Sequence, residues 1–239
     1  MLRSFASNSN SNKVIILYNN WKKDLHNTEQ KVFIMAKNLL IATHNKNKIR
    51  EFYEIIKNTG EMPFLIELMD LETLNITEDA DEPFDTFLEN AKHKAKFYYD
   101  ITCVPCIAED AGLKVDLLDG RPGVLSARWT GVHADDKTNN KKLVEELNRK
   151  AIAESPASYI STLAIYNGNK YYVATGDLKG FVRVAPHGSF GFSYDPYFYL
   201  PDGRSLGDLT DEQKNAISHR RKALEAIKQI IIQNEQNIW

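Results

Sequence analysis

Four short segments of the 239-residue chain carry side chains suited to chemistry on a small charged molecule. Thr43-His44-Asn45-Lys46-Asn47-Lys48 lies between an apolar run and an amphipathic one. A strand, such a segment and then a helix present unpaired N–H groups and the positive end of a helix dipole, which attract phosphate. Thr43 and Asn45 add short polar side chains, and Lys48 adds a compact cation. No Walker A glycine pattern is present, which argues against a P-loop site. Glu109-Asp110 follows the apolar residues 104–108 and precedes Gly112. Two carboxylates at a strand end suit Mg2+, and one of them can accept a proton from an attacking water. An ordinary acidic turn is spelled the same way. In Lys214-Asn215-Ala216-Ile217-Ser218-His219-Arg220, the arginine fork suits phosphate or a purine carbonyl, and His219 suits a hydrogen bond to a base. A basic helix face is the plain alternative. Gly191-Phe192-Ser193-Tyr194-Asp195-Pro196 offers aromatic faces and one acid, or a loop that packs on the core. Together the four are the parts of a nucleoside-phosphate site, in which cations neutralise charge on the leaving group.

The elements that must position them are legible at low detail. Residues 39–42 form a short continuous apolar run, suited to a strand buried on both faces. Ile49, Phe52, Tyr53 and Ile56 then make one helical stripe, with Asn45 as its N-cap. Asn58-Thr59-Gly60 ends that helix, and residues 65–68 suit a second strand. Phe84, Phe87, Leu88, Ala91, Ala95 and Tyr98 predict a helix from about Pro83 to Tyr99. A strand over 104–108 is expected to stop at Glu109-Asp110-Ala111-Gly112, with another over 113–117. Residues 136–150 read as a helix with Leu143, Val144 and Leu147 inward. Asn167-Gly168-Asn169 between residues 159–166 and 170–175 signals a hairpin, which 177–184 extends. Residues 186–201 read as an ordered loop around a short strand. Thr210 and Gln213 make a capping box, and a last helix carries Leu224, Ile227 and Ile231. Strands and helices interleave, so the class is α/β with a mixed sheet.

Composition narrows the function. Hydrophobic residues make up 43% and charged ones 26%, ordinary globular values that exclude a disordered chain. No run of about 18 apolar residues appears, so no membrane span is expected. The net charge of −2 argues against a nucleic-acid coat, which needs a basic surplus. Residues 1–36 form an N-terminal extension with a polar Ser/Asn repeat, set apart from a single catalytic domain over 37–239. A tail or upstream start, an added strand or helix over residues 14–18, and an organelle presequence are the open readings of it. Without it the body has 25 basic and 30 acidic residues. Residues 70–89 hold eight acids and no Lys or Arg, either a solvated loop or a metal-facing edge. Cys103 and Cys106 read as inert buried thiols on a strand, since zinc needs more ligands.

Six motifs in order over residues 38–230 give the chain a resemblance to the inosine/xanthosine triphosphate pyrophosphatases of the RdgB type. The opening segment is similar to strand-T-x-N-x-x-K. Thr86-Phe87-Leu88-Glu89-Asn90-Ala91 with Lys94-Ala95 is similar to T-F-x-E-N-A…K-A, and Ala108–Leu113 to A-D-D-S-G-L. Pro122–Trp129 is similar to P-G-x-x-S-A-R-[YW], Phe192–Pro196 to F-G-Y-D-P, and Lys214–Arg220 to K-x-A-I-S-H-R. The resemblance implies a two-lobed α/β fold, a central mixed sheet flanked by helices with an active-site cleft between the lobes. It implies a cytoplasmic homodimeric hydrolase. With Mg2+ it would cut ITP, dITP and XTP to the monophosphate and pyrophosphate, keeping them out of DNA and RNA. By the same resemblance Thr43, His44, Asn45, Lys46, Asn47 and Lys48 hold the triphosphate. Asp110 is proton acceptor and metal ligand. Asp81 falls at the second metal position by ungapped spacing from Asn90, with Glu82 the alternative beside it. Lys94 and Lys214 face phosphates or base, Ala111 lies at the substrate, and Phe192, Ser193, Tyr194 and Asp195 form the base pocket. His219, as a protonatable donor, and Arg220 read the purine 6-oxo group. The chain departs from the family pattern at His44 for Gly, Glu109 for Asp, Ala111 for Ser, in Asp81-Glu82-Pro83-Phe84 for E-E-T-G, and at Ser193 for Gly. The last is strained if its φ is positive. A binding protein without catalysis and a Maf-type enzyme for other nucleotides are the competing functions, and the intact Ser218-His219-Arg220 opposes the second.

Overall fold

The computed structural model describes residues 15–17, 36–58, 62–131 and 135–239. Among these residues seven strands form one mixed sheet. The first, β1 (Ile15–Leu17), falls in the N-terminal extension and pairs antiparallel with β3 (Ile66–Asp70). Of the readings of residues 14–18, the added strand is the one found. The other residues before 36 lie outside the described residues. β2 (Lys37–Ile41) runs parallel to β3 on one side and to β4 (Cys106–Val115) on the other. From β4 onward the pairing is antiparallel, through β5 (Glu154–Tyr166), β6 (Tyr171–Arg183) and β7 (Phe198–Tyr199). The spatial order is β1-β3-β2-β4-β5-β6-β7, the mixed α/β sheet expected.

Local chemistry sets the helix starts. α1 (Lys46–Asn58) is capped by Asn45, whose Oδ1 accepts from the N–H groups of Asn47 and Lys48 at 3.0 and 3.1 Å. Its first turn carries no acid, so the positive end of the dipole stays uncompensated. The expected stop at Thr59-Gly60 lies outside the described residues. α2 (Phe87–Thr102) begins four residues later than Pro83, because Thr86 accepts from the Glu89 N–H at 3.1 Å and fixes the start there. α3 (Asp136–Arg149) has a capping box between Asp135 and Thr138. α4 (Asp211–Ile217) has the expected Thr210–Gln213 box, and α5 (His219–Gln233) follows at once from Ser218. A last turn, α6 (Glu235–Ile238), closes the chain. None of the helices is long and apolar enough to cross a membrane among the described residues.

The long strands pass through two apolar cores with a polar seam between them. At one end, Ile107 of β4, Leu163 of β5 and Ala174 of β6 pack with Phe52 of α1 and Leu224 of α5. Ala91, Ala95 and Tyr98 of α2 cover the opposite sheet face there. At the other end, Leu113, Tyr159 and Leu178 of the same strands pack with Leu143 and Leu147 of α3. In the middle the strands carry Glu109, Asp110, Ser161, Thr162, Thr175 and Gly176, and register places Asp110 opposite Thr162 and Thr162 opposite Thr175. The expected break at Glu109-Asp110-Ala111-Gly112 is therefore absent. These residues are the centre of one ten-residue strand, and their polarity marks the seam rather than a turn. Cys106 is buried as expected, whereas Cys103 is exposed in the left-handed C-cap of α2.

Gly176 lets α5 approach the sheet. A Cβ there would overlap the His219 carbonyl oxygen and the Ala223 amide nitrogen. Replacing Gly176 by Ala overpacks a backbone contact, so stability should fall by about 1–3 kcal/mol. Thermal unfolding checks this, with a Tm lower by roughly 2–10 °C expected for a chain of this size.

Candidate active site

The seam holds two ion-paired clusters on opposite faces of β4. Successive strand residues point to opposite faces, so adjacent Glu109 and Asp110 are separated by the sheet itself. They are not the carboxylate pair that the sequence suggests. Asp110 faces α2. Its Oδ2 accepts from Asn90 Nδ2 at 3.1 Å and its Oδ1 from Lys94 Nζ at 3.2 Å. Asn90 and Lys94 are four residues apart and share one helix face. Lys94 also donates to Glu82 Oε1 at 2.7 Å. Arg128 closes this cluster, with one guanidinium nitrogen on the Glu82 carboxylate and another on the Glu82 carbonyl at 2.9 Å.

The two acids at the expected second metal position differ in their surroundings. The Asp81 side chain is 75% exposed and pairs with His93 at 2.7 Å. Glu82 is the acid that shares Lys94 with Asp110. Ungapped spacing located the segment correctly but carries no information on which of two neighbouring side chains turns inward. Among the described residues no group of three His, Cys, Asp or Glu side chains is placed to hold a metal by itself.

Glu109 faces the other way. Its two oxygens take the Arg220 fork, Nε at 2.8 Å and Nη2 at 2.9 Å. Ser161 donates to it at 2.6 Å, and Lys48 lies 3.4 Å away. Arg220 also bonds Glu51, which in turn lies 3.4 Å from Lys214. Lys214 donates to Asp195 at 2.7 Å and sits 4.2 Å over the Phe192 ring. Charges of alternating sign thus run Asp195, Lys214, Glu51, Arg220, Glu109, Lys48. Burial holds Lys48 below the usual lysine range, with Glu109 opposing the shift. It lowers Arg220 to about 10, still protonated at neutral pH. Burial raises Asp195, with Lys214 pulling it back. Three of the five N–H donors of Arg220 are engaged by carboxylates, which anchor it. Sequence reasoning missed Glu51, whose one signal is its place three residues after Lys48 on the same helix face. It also gave no role to Asn90, Arg128 or Ser161.

The phosphate segment is divided. Thr43 Oγ1 accepts from the Asn45 N–H at 3.2 Å and shapes the turn, while Lys46 and Asn47 are exposed beside it. His44 turns away, its Nε2 at 2.8 Å from the Glu78 carbonyl and its ring edge-on to Tyr98. Ala111 lies in β4 between the two clusters, partly exposed. Of the aromatic loop, Phe192 is half-buried and borders Lys214. Tyr194 is fully buried and donates to the Ser126 carbonyl at 2.8 Å, so it is a core residue and not a base platform. His219 is buried, and its ring stacks on Tyr159 at 5.0 Å. Burial, and then the nearby Lys214 and Lys48, lower its pKa to about 3. Burial thus favours the neutral ring over the protonated donor expected, with Nδ1 buried and unpartnered among the described residues. Ser193 has φ +58°, the strained left-handed conformation anticipated for it.

Two consequences are measurable. Ser193→Gly removes the left-handed penalty and should raise stability by about 1 kcal/mol, read from urea unfolding. For His219 the folded protein refuses a proton that the unfolded chain takes up below pH 6.5. Its neutral burial therefore contributes stability above pH 6.5 that is lost as pH falls toward 3. His219→Gln should flatten the acid limb, so that between pH 7 and pH 5 wild type loses about 2 kcal/mol more than the variant. Parallel limbs would contradict the neutral ring.

Known proteins share the sequence pattern and the fold. The sequence profile of the Ham1 family matches residues 39–230. A Geobacter sulfurreducens protein named dITP/XTP pyrophosphatase is 41% identical over 192 residues, covering 80% of this chain and 94% of its own. A Bacillus subtilis protein of the same name is 36% identical over 200 residues, covering 83% and 98%. The structure of a HAM1 protein from Coxiella burnetii superposes with a TM-score of 0.73 at 30% identity, covering 82% of this chain and 99% of that one. A nucleoside-triphosphatase, dITP/XTP pyrophosphatase, from Mycobacterium abscessus gives 0.64 at 34% identity, covering 80% and 98%. Profile, relatives and fold agree over the same stretch, and the chain belongs to the Ham1 family.

Proposed function

We propose that this chain is a hydrolase that cuts dITP, XTP and ITP to the nucleoside monophosphate and pyrophosphate. The supporting observation is the seam itself, where Asp110 lies against Lys94 and Asn90, near enough to the start of α1 for Lys48 to feel the charges of both Asp110 and Lys94. The triphosphate takes the N–H groups and cations at that end, Lys48 first, and displaces part of the carboxylate pairing. Asp110 accepts a proton from the attacking water, and Asn90 and Lys94 hold its two oxygens in place. Lys94 and Lys48 neutralise charge that grows on the departing pyrophosphate.

Glu82 and Asp110 fit Mg2+. They offer hard oxygen donors that already converge on one cation, the Lys94 ammonium, at 2.7 and 3.2 Å. Two carboxylates are few for an all-protein cage but suit an ion that keeps waters and phosphate oxygens. When bound there it supplies Lewis-acid polarisation of the phosphoryl group. The base lies by Phe192 and His219. The neutral imidazole presents one N–H, which a 6-oxo purine accepts and a 6-amino purine leaves unpaired. Arg220 acts from behind, through Glu109 and Glu51, in fixing the start of α5. We also propose a cytoplasmic homodimer, for which sedimentation of the purified chain is the direct check.

Pyrophosphate release from XTP, dITP, ITP, GTP and ATP with Mg2+ tests the reading. A preference of at least about 100-fold for the 6-oxo non-standard purines over ATP is expected. Asp110→Asn should retain the fold and lose roughly 100-fold or more in kcat. Equal rates on all five nucleotides, or full activity in Asp110→Asn, would sink it. Binding of XTP without release would leave a nucleotide-binding protein.

A further inference from the structure

The aromatic loop is gripped from two sides. On its inner side Asp195 accepts from the Phe192 N–H at 2.9 Å and from Lys214 at 2.7 Å. On its outer side α3 takes both backbone groups of Ser193. Asp136 Oδ2 accepts from the Ser193 N–H at 2.8 Å, and Asn140 Nδ2 donates to the Ser193 carbonyl at 2.9 Å. The two side chains are four residues apart and share one helix face. Neither makes another side-chain hydrogen bond among the described residues. The start of α3 does not need them, because Asp135 and Thr138 cap it. The helix is held to the second core by Leu143 and Leu147. Asn140 Oδ1 is buried and unpartnered among the described residues, so its amide bonds Ser193 on one end only there. Ser193 is the non-glycine residue of the loop with positive φ.

We infer that Asp136 and Asn140 are positioning residues for substrate binding: they clamp Ser193 in the left-handed conformation and so hold Phe192 beside Lys214. Without the clamp a serine relaxes toward the α or β region, because its Cβ is crowded at positive φ. That rotation moves the peptide groups on either side of Ser193, and with them the tie between Phe192 and Asp195. The loop then still forms but no longer presents one surface to a base. The catalytic cluster at Asp110 and Lys94 lies on α2 and β4 and does not feel the change. The effect belongs in binding and not in turnover. The consequence for KM rests on the pyrophosphatase reading, and the clamp itself does not.

The test uses the full chain carrying Asn140→Ala, Asp136→Ala or Asp136→Asn, each alone and with Ser193→Gly. Amide hydrogen exchange over residues 191–196, without nucleotide, reads the clamp. Kinetics of XTP with Mg2+ read its consequence. Loss of one clamp bond should speed exchange in the loop by about fivefold or more, raise KM about fivefold to tenfold, and leave kcat within about twofold. Melting temperature should stay close to that of the parent. Asp136→Asn keeps an acceptor oxygen and should stay near wild type. In the Ser193→Gly background the rise in KM should shrink to about twofold, since glycine holds positive φ unaided. Unchanged exchange overturns the clamp. Equal losses in both backgrounds, or KM, kcat and melting temperature worsening together, overturn the positioning role. Should wild type release no pyrophosphate, the functional reading fails while the exchange measurement still decides the clamp.

Discussion

Burial of ionised side chains in the seam between two apolar cores is the constraint on which the rest of this structure depends. Glu51, Glu109, Asp195, Lys214 and Arg220 are nearly closed to solvent. An isolated charge in such a place costs several kcal/mol, and each of these is tolerated because an opposite charge meets it. The neighbours are arranged to make those meetings possible. Gly176 gives up its side chain so that α5 can bring Arg220 down onto β4. Glu109 is one methylene longer than the aspartate usual in the family, and it reaches the guanidinium with both oxygens and Ser161 besides.

A network of this kind is weak as a source of stability and strong as a template. Replacing buried ion pairs by packed hydrophobes is often neutral or better, whereas removing one partner typically costs about 3–5 kcal/mol. What the alternation of signs provides is a set of cations already desolvated and aimed. On the proposed function, a triphosphate entering at the α1 terminus would exchange one set of anions, the carboxylates, for another. The cations need little reorganisation, which is the condition under which fixed charges lower a barrier most. The separation of Asp110 from Glu109 by the sheet keeps the contacts to Asn90 and Lys94 on one face and the anchoring of α5 on the other.

Local signals were read well because local physics decides them. Asn45 caps α1, Asn167-Gly168-Asn169 turns the hairpin between β5 and β6, and Thr210 with Gln213 starts α4. The misreadings occur where tertiary environment reverses a local preference. Glu109-Asp110-Ala111-Gly112 is turn-like in composition, yet it continues a strand because its polar groups are met from α2, α5 and β5. Side-chain direction was beyond reach in the same way. Spacing could not separate Asp81 from Glu82, nor tell that Tyr194 points into the core and His44 toward Glu78. Glu51 lay hidden because one acid on an amphipathic helix looks like a solvated one. The protonation of His219 was not legible because its pKa depends first on burial, and then on Lys214 and on Lys48, the latter distant in sequence.

The departures from the family pattern are instructive for the same reason. A serine at φ +58° is a local conflict, and such conflicts persist only where surroundings over-determine the conformation. Here the surroundings are α3 on one side and Asp195 on the other, both fixed by the second core and by Lys214. Gly191, also at positive φ, leaves room for the Asp195 carboxylate that a Cβ would fill. The loop is therefore ordered by its contacts and not by its own sequence. Its conformation is coupled to the same charge network that holds the phosphate side. A change in the pairing of Lys214 reaches Asp195, then the Phe192 amide, then the base surface. On the proposed function, recognition of the base and capture of the triphosphate would in this way be parts of one electrostatic arrangement, joined through Lys214.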